Sequence, residues 1–376
     1  MSISRRQVLL FLSTICGLGG AVYFHQNLTQ KDKKVSNKFE SQPPPEPLSS
    51  PTPIAVAPTG FFAPVKGDVR LLVISDLNNR YGSTDYESQV TASIPLIPQW
   101  EPDLVLCAGD MVAGQKRSLS EANIKAMWAG FERDIASPLR QENLPFAMTM
   151  GNHDASSYRN KSGTYVFAKE RRLAEEYWSQ HQSNLNLDFV DDSGFPYYYS
   201  FVQNDIFYLI WDASSFIIPS QQLEWVKESL ASPSAQTAKL RIVMGHLPLY
   251  AVAVGRNKEG AVLSNVRELQ TLLEENNVHL YISGHHHAYF PARKNQLKLL
   301  HTGALGSGPR VLLNSDLSPR NTLTVIDINL DSKTSRYTTY NMKTQEVIQL
   351  QELPERIESL NRWVVREDVS LEASNL

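Results

Sequence analysis

The chain of 376 residues carries 36 basic and 39 acidic side chains, a net charge of −3, and is 42% hydrophobic. This is an ordinary globular balance with room for one large core plus appendages, and it argues against a basic nucleic-acid groove. The two cysteines, Cys16 and Cys107, exclude a disulfide scaffold and any Cys-x-x-Cys metal site, so a metal would have to be held by His, Asp and Asn.

Ser4-Arg5-Arg6 precedes an apolar run that extends to about Phe24. A basic pair ahead of such a run marks a targeting segment. It resembles a twin-arginine signal, the type that exports folded proteins, often with cofactors in place. Ser13, Thr14, Gly17, Gly19 and Gly20 keep the run only moderately hydrophobic and barely long enough to span a bilayer. Cleavage near Gly19-Gly20-Ala21 and retention as an anchor, basic end cytoplasmic, both remain open. Residues 1–25 are thus read as a signal or anchor, placing the protein in the periplasm or another extracytoplasmic space, released or membrane-tethered. Residues 26–60 contain Gln42-Pro43-Pro44-Pro45-Glu46-Pro47 and read as a disordered, partly stiff linker.

Globular character begins near Gly60, and the domain is bounded at 61–345. Val69-Arg70-Leu71-Leu72-Val73-Ile74-Ser75-Asp76 is an apolar run closed by a carboxylate, as in a strand buried on both faces. A helix is predicted over 86–94, then a second buried strand over 104–108 that ends in Gly109-Asp110. The spacing of Ile124, Met127, Trp128, Phe131 and Ile135 predicts a helix over 122–135. Leu144 to Met148 predicts a third buried strand, closed by Gly151 and followed by Asn152-His153-Asp154. In the next predicted helix, 165–178, the mixed-sign Lys169-Glu170-Arg171-Arg172 reads as a solvated face. Beyond Asp191-Asp192-Ser193-Gly194 comes a hairpin over 197–202 and 206–211. A helix over 221–230 leads to a strand over 240–244 that ends in Gly245-His246. A helix over 266–275 leads to a strand over 278–282 that ends in Ser283-Gly284-His285-His286-His287. Further strands are predicted at 297–301, 323–328 and 336–341, and 346–376 reads as a charged, peripheral tail.

Asn152-His153-Asp154 alone fits either a helix-capping turn or a set of presented ligands. The other strand ends favour ligands. Asp76, Asp110, Asn152, His246 and the pair His285 and His287 each follow an apolar strand. Strand ends on one edge of a twisted sheet converge in space. Two carboxylates, an amide oxygen and three imidazoles suit Mn, Fe or Zn better than a calcium cage or a thiolate site.

In these motifs the chain resembles the calcineurin-like metallophosphoesterases, which include purple acid phosphatases and class III cyclic-nucleotide phosphodiesterases. The family pattern D-x-H, G-D, G-N-H-D/E, a lone H and G-H-x-H has counterparts here in that order. They are Asp76-Leu77-Asn78, Gly109-Asp110, Gly151-Asn152-His153-Asp154, Gly245-His246 and Gly284-His285-His286-His287. The resemblance implies an α/β fold, a four-layer αββα sandwich of two mixed β-sheets flanked by helices, with the site at the strand carboxyl ends. It implies two divalent or mixed-valence transition metals (Mn, Fe or Zn) bridged by Asp110. Asp76 and His287 would hold the first metal, and Asn152, His246 and His285 the second. His153 would act as general acid or transition-state donor, with Asp154 orienting it. Asn78 stands where most of the family has His, so the first metal would receive a weak amide ligand or a water there. Purple acid phosphatases lack that His too, but the Tyr they add three residues after the Gly-Asp aspartate is Ala113 here. His286 is read as a spacer and His301 as structural.

The implied reaction is hydrolysis of a phosphoric ester, monoester or diester, by a hydroxide held between the metals. Two cations about 3.5–4 Å apart can clamp the attacking and leaving oxygens of an in-line displacement. The expected partner is a phosphorylated small-molecule or macromolecular ester; no nucleic acid is expected. The alternatives are a non-catalytic metal-binding interaction domain of the same fold and a nuclease. Retention of His153 and of every ligand except that at position 78 favours an enzyme, and the missing basic groove disfavours a nuclease. Arg80, Arg159 and Arg256, in loops after strand ends, read either as groups that meet a phosphate or as ordinary surface loop residues, and no substrate-binding residue is assigned.

Overall fold

Two mixed β-sheets, flanked by helices, form the frame in the computed structural model, which describes residues 54–370. The expectations for the signal segment, and for the linker up to residue 53, lie outside the described residues. In chain order the strands begin with β1 (Val69–Ile74), β2 (Leu104–Cys107), β3 (Phe146–Met148), β4 (Phe189–Gly194), β5 (Tyr198–Gln203), β6 (Ile206–Ile210) and β7 (Leu240–Met244). They continue with β8 (Leu280–Ser283), β9 (Phe290–Lys294), β10 (Leu297–His301), β11 (Thr322–Asn329), β12 (Thr334–Asn341), β13 (Arg356–Ser359) and β14 (Arg362–Arg366). One sheet has the order β12-β11-β1-β2-β3, the other β13-β14-β9-β10-β8-β7-β6-β5-β4. No helix among the described residues is long and apolar enough to cross a membrane.

The strands expected to be buried on both faces are so. Every residue of β1 and β2 is buried, and so is every residue of β6 and β8. Burying each Leu or Ile there contributes about 1.5–3 kcal/mol. Cys107 is one of these, a free thiol within β2. Polar ties bind the two sheets. The Tyr199 hydroxyl of β5 donates to the Met148 carbonyl of β3 (2.7 Å) and accepts from its amide (3.0 Å). The Thr149 hydroxyl, just past β3, donates to the Trp211 carbonyl after β6 (3.2 Å).

Several elements differ from expectation. The helix predicted over 122–135 is α-helical over Glu121–Phe131, widens to a π-turn over Glu132–Ala136, and resumes over Ser137–Gln141. Strand β4 covers Asp191-Asp192-Ser193-Gly194; its half-exposed, register-shifted edge position removes the apolar run that marks a strand in sequence. Strand β9 contains Pro291, which argues against a strand on sequence grounds, yet β9 pairs with β10 on one side and β14 on the other. Part of the stretch read as a tail therefore extends the larger sheet as the edge hairpin β13–β14.

The helix Ala168–His181 also corrects a reading, since Glu170 and Arg171 are buried rather than solvated. Arg171 pairs with Asp212 (2.9 Å), donates to the Ala155 carbonyl (2.6 Å) and lies against the rings of Tyr165 and Tyr197. The end of the linker is likewise folded. Ala55 bridges Val65, and the carbonyls of Val56 and Pro64 accept hydrogen bonds from Arg70 (3.1 and 2.8 Å). Arg70 is fully buried in β1, so its donors draw in any backbone carbonyl within reach.

Candidate metal centre

Asp76, Asp110 and Asn152 follow β1, β2 and β3, while His246 follows β7 and His285 and His287 follow β8. The first group hangs from the five-stranded sheet and the second from the nine-stranded sheet. Within each sheet the strands involved are parallel neighbours, so their carboxyl ends lie side by side. The two rims are sewn together by hydrogen bonds. His246 Nδ1 donates to the Ala108 carbonyl (2.8 Å), and the amides of Leu305 and Gly306 donate to the carbonyls of Ser75 and Asp76 (3.0 and 2.9 Å).

One donor atom each from Asp76, Asp110 and His246 fall within 4.8 Å of one another. His246 Nε2 lies 3.3 Å from Asp110 Oδ2, 3.1 Å from Asn152 Oδ1 and 4.0 Å from Asp76 Oδ1. His287 Nε2 lies 3.2 Å from Asp76 Oδ1. The His246 proton is committed to Ala108 through Nδ1, so in the neutral ring a lone pair on Nε2 faces three oxygens that are themselves acceptors. Converging lone pairs repel unless a positive charge lies among them. Asn152 is oriented for this: its Nδ2 donates to Gln115 Oε1 (2.8 Å), which leaves Oδ1 toward the cluster. His285 Nδ1 is buried with no hydrogen-bond partner. A buried nitrogen left open in this way fits a metal ligand, and so does the donor set as a whole.

The electrostatics show the same excess of acceptors and negative charge. Burial pushes the Asp110 carboxyl up, but the charges of His246 and then His153 hold it well below the usual carboxylate range. Burial pushes His246 down, and the facing Asp110 outweighs it, leaving the imidazole pushed up to about 9. A proton on His246 thus supplies the positive charge that the carboxylates demand. His285 is held well below its ordinary value by burial and then by the His246 charge. That keeps it neutral, the form that binds metal.

Backbone strain is concentrated here. Asp76, Asp110, His285 and His287 all adopt positive φ, between 51° and 65°. Left-handed non-glycine residues cost on the order of 1–3 kcal/mol each and persist where the surroundings over-determine them. Each is pinned: the Asp76 amide donates to the Gly109 carbonyl (2.9 Å), and the Asp110 carbonyl accepts from Leu77 and Asn78 (2.9 and 3.1 Å). The His285 amide donates to both Asp76 carboxylate oxygens (3.2 and 3.1 Å), and the His287 carbonyl accepts from the Arg310 amide (2.9 Å). Gly151 permits the close approach of two strand ends, because a Cβ there would overlap the Asp110 carboxylate.

Met150–Asp154 serves both readings of that stretch. Asn152–Ala155 is a short helical turn in which the Asp154 side chain caps Gly151, while Asn152 faces the cluster. The expected partnership of Asp154 with His153 is corrected. Asp154 accepts from the amides of Val112 and Gly151 (2.9 and 2.8 Å), and burial, then the Asp110 charge, pushes its carboxyl up to about 7. It ties two loops together. The His153 ring is held instead by the Gly114 carbonyl at Nδ1 (3.1 Å), lies beside Tyr81, and turns Nε2 toward Asp110 Oδ2 (4.0 Å). Asn78 is 5% exposed and lies two residues past Asp76, where its amide donates to the Asp110 carbonyl (3.1 Å). His286 accepts from the Val252 amide and donates to the Ala261 carbonyl, and His301 lies between the carbonyls of Phe290 and Tyr250. Both are structural.

A cleft of about 300 Å³ opens beside Asn152 and His285, with Tyr158, Phe216, Arg256 and Lys258 on its walls. Of the three arginines singled out in sequence, Arg80 is exposed, and Arg159 lies on the Tyr165 ring and donates to Gly163. Arg256 reaches the cluster, its Nη1 3.4 Å from His285 Nε2. Sequence reasoning missed Gln115 and Gly114, which orient Asn152 and His153. The only signal was their place in the loop just after Gly109-Asp110.

The sequence model described as calcineurin-like phosphoesterase matches residues 69–289, which spans every motif above. Among solved structures, a purple acid phosphatase from yellow lupin (Lupinus luteus) seeds is similar at 16% identity and a TM-score of 0.53. The similarity covers 77% of this chain but 55% of that one, so the chain spans about half the length of that phosphatase. A dimetal phosphatase from Danio rerio is similar at 13% identity and a TM-score of 0.47, covering 73% of this chain and 95% of that one. The Plasmodium protein GAP50, described as the anchor in the inner membrane complex, is similar at 16% identity and a TM-score of 0.46. That similarity covers 75% of this chain and 87% of that one. No curated protein matches the chain.

Proposed function

Because the chain belongs to the calcineurin-like phosphoesterase family, we propose that it hydrolyses phosphoric esters through a dinuclear metal centre at this two-sheet rim. The observation that carries the reading is the convergence of the Asp110, Asp76 and Asn152 oxygens around His246 Nε2, a concentration of acceptors that demands positive charge, together with the open Nδ1 of His285. Asp110, central in the cluster, would be shared by both cations. Asp76 and His287 would complete one site, with Asn78 in reserve, and Asn152, His246 and His285 the other. Bound there, Mn, Fe or Zn would polarise the phosphoryl oxygens and make water acidic enough to attack at neutral pH.

The chain's own residues then have separate tasks. Asn152, oriented by Gln115, contributes a neutral oxygen, which limits the negative charge facing the substrate. His153, its Nδ1 proton on Gly114, presents Nε2 at the mouth of the cluster. The water gives up one proton to solvent as its oxygen forms the new bond to phosphorus and the ester P–O bond breaks; a His153 ring protonated at both nitrogens gives its Nε2 proton to the leaving oxygen, and solvent restores it. A positioned acid of this kind contributes about 10²–10⁴-fold.

Hydrolysis of an aryl phosphate and an aryl phosphodiester, with Mn, Zn, Fe, Co or Mg added, tests the proposal. His153→Ala is expected to lower kcat by roughly 10²-fold with metal content unchanged. No turnover with any metal, in a folded protein, would favour the non-catalytic metal-binding domain. The Arg5-Arg6 segment would carry the activity out of the cytoplasm, released or tethered. Replacing both with Lys is expected to leave most of the protein in the cytoplasmic fraction; unchanged export would remove that part of the proposal.

A further inference from the structure

Two arginines stand beside the candidate metal rim, and the ligand assignment uses neither. Ala253 forms an isolated antiparallel bridge with Leu312, and the Val254 amide donates to the Val311 carbonyl (2.9 Å). This couples the loop after β7 to the loop after β10 and brings Arg256 and Arg310 together. A Cβ on Gly255 would sit 3.6 Å from Arg310 Nη1. Arg310 is held below its usual range by burial and then by the charge of Arg256, with Asp76 pulling the other way. Arg256 touches His285, and Arg310 hangs from the His287 carbonyl through its own amide. Neither guanidinium forms an ion pair among the described residues, and the Nε of each is buried without a hydrogen-bond partner. Neighbouring cations with open donors are unfavourable until an anion joins them.

We infer that Arg256 and Arg310 form an anion clamp that selects phosphomonoesters over phosphodiesters. The inference rests on the phosphoesterase reading and narrows it. A monoester carries two negative charges at neutral pH and three unesterified oxygens; a diester carries one charge and two such oxygens. Guanidinium forks beyond the ligand cluster match the extra oxygen and the extra charge. A site built for diesters would leave both forks unpaired beside the ester oxygen.

The test uses the full Mn-loaded protein with Arg256→Gln and Arg310→Gln, and titrates inorganic phosphate and dimethyl phosphate calorimetrically. Loss of a charge-assisted hydrogen bond is expected to weaken phosphate binding by about 10-fold per variant, and dimethyl phosphate binding by no more than about 3-fold. The monoester-to-diester ratio of kcat/KM should fall by a similar factor. Metal analysis accompanies each variant. If a Gln variant loses metal, Arg256→Lys and Arg310→Lys, which keep the charge but not the fork, are used to measure the same ratio. A parallel fall for both ligands, no fall for either, or a wild type that prefers the diester overturns the inference. Selective phosphate binding without turnover of any ester would keep the clamp and reject the hydrolase.

Discussion

Exchange of Asp110 for Asn is expected to empty the centre and to stop turnover. Asp110 is 1% exposed and its carboxylate lies 3.3 Å from His246 Nε2 and 4.0 Å from His153 Nε2, within the cluster proposed to hold the metals. An amide in its place offers one weaker acceptor and no charge. Lewis-acid stabilisation supplies several kcal/mol to such reactions, so kcat/KM should fall by on the order of 10³-fold or more. Elemental analysis should find less bound metal per chain than in the wild type. Metal should also raise the unfolding midpoint of the wild type, by linkage, and barely move that of the variant. A variant that keeps its metal and its rate would show that Asp110 is not the shared ligand.

The second large effect lies away from the chemistry. Asp327→Ala is expected to destabilise the fold by about 3–5 kcal/mol, the usual consequence of leaving one member of a buried ion pair alone. Arg70 is 0% and Asp327 4% exposed, and the pair is bidentate, with Nε to Oδ1 at 2.8 Å and Nη2 to Oδ2 at 3.2 Å. The remaining guanidinium donors go to the carbonyls of Val56, Trp100 and Pro64 (3.1, 2.9 and 2.8 Å), so all are satisfied. Asp327 Oδ1 also accepts from the Gly67 amide (3.1 Å). Urea denaturation of the metal-free protein measures the loss. A change below about 1 kcal/mol would mean that water enters and solvates Arg70 instead.

The placing of the candidate site at the strand ends was legible in the residue order, because parallel strands buried on both faces leave continuous apolar runs. β1, β2, β7 and β8 each announce where they stop, and the polar residues after the stop stand out. Edge elements left no such mark. β4 carries Asp191 and Asp192 on a half-exposed edge, and β13 and β14 are short and charged, so composition did not separate them from loop or tail. The role of Asp154 was misread for a different reason. Adjacency to His153 suggested a hydrogen bond, but in the helical turn the two side chains point to different partners, Gly114 for one and the loop amides for the other.

Residue order along the chain was enough to single out the candidate ligands, because their chemistry is a property of the side chains and their position at strand ends follows from local hydrophobic patterning. It could not say that Asp76, Asp110 and Asn152 hang from one sheet while His246, His285 and His287 hang from another, nor that His246 Nδ1 closes on Ala108 across the gap. It also could not pair Arg70 with Asp327, 257 positions away, or set Arg310 beside Arg256. Those relations depend on how two twisted sheets pack face to face. Packing is a property of the whole buried surface, and no single stretch of chain encodes it.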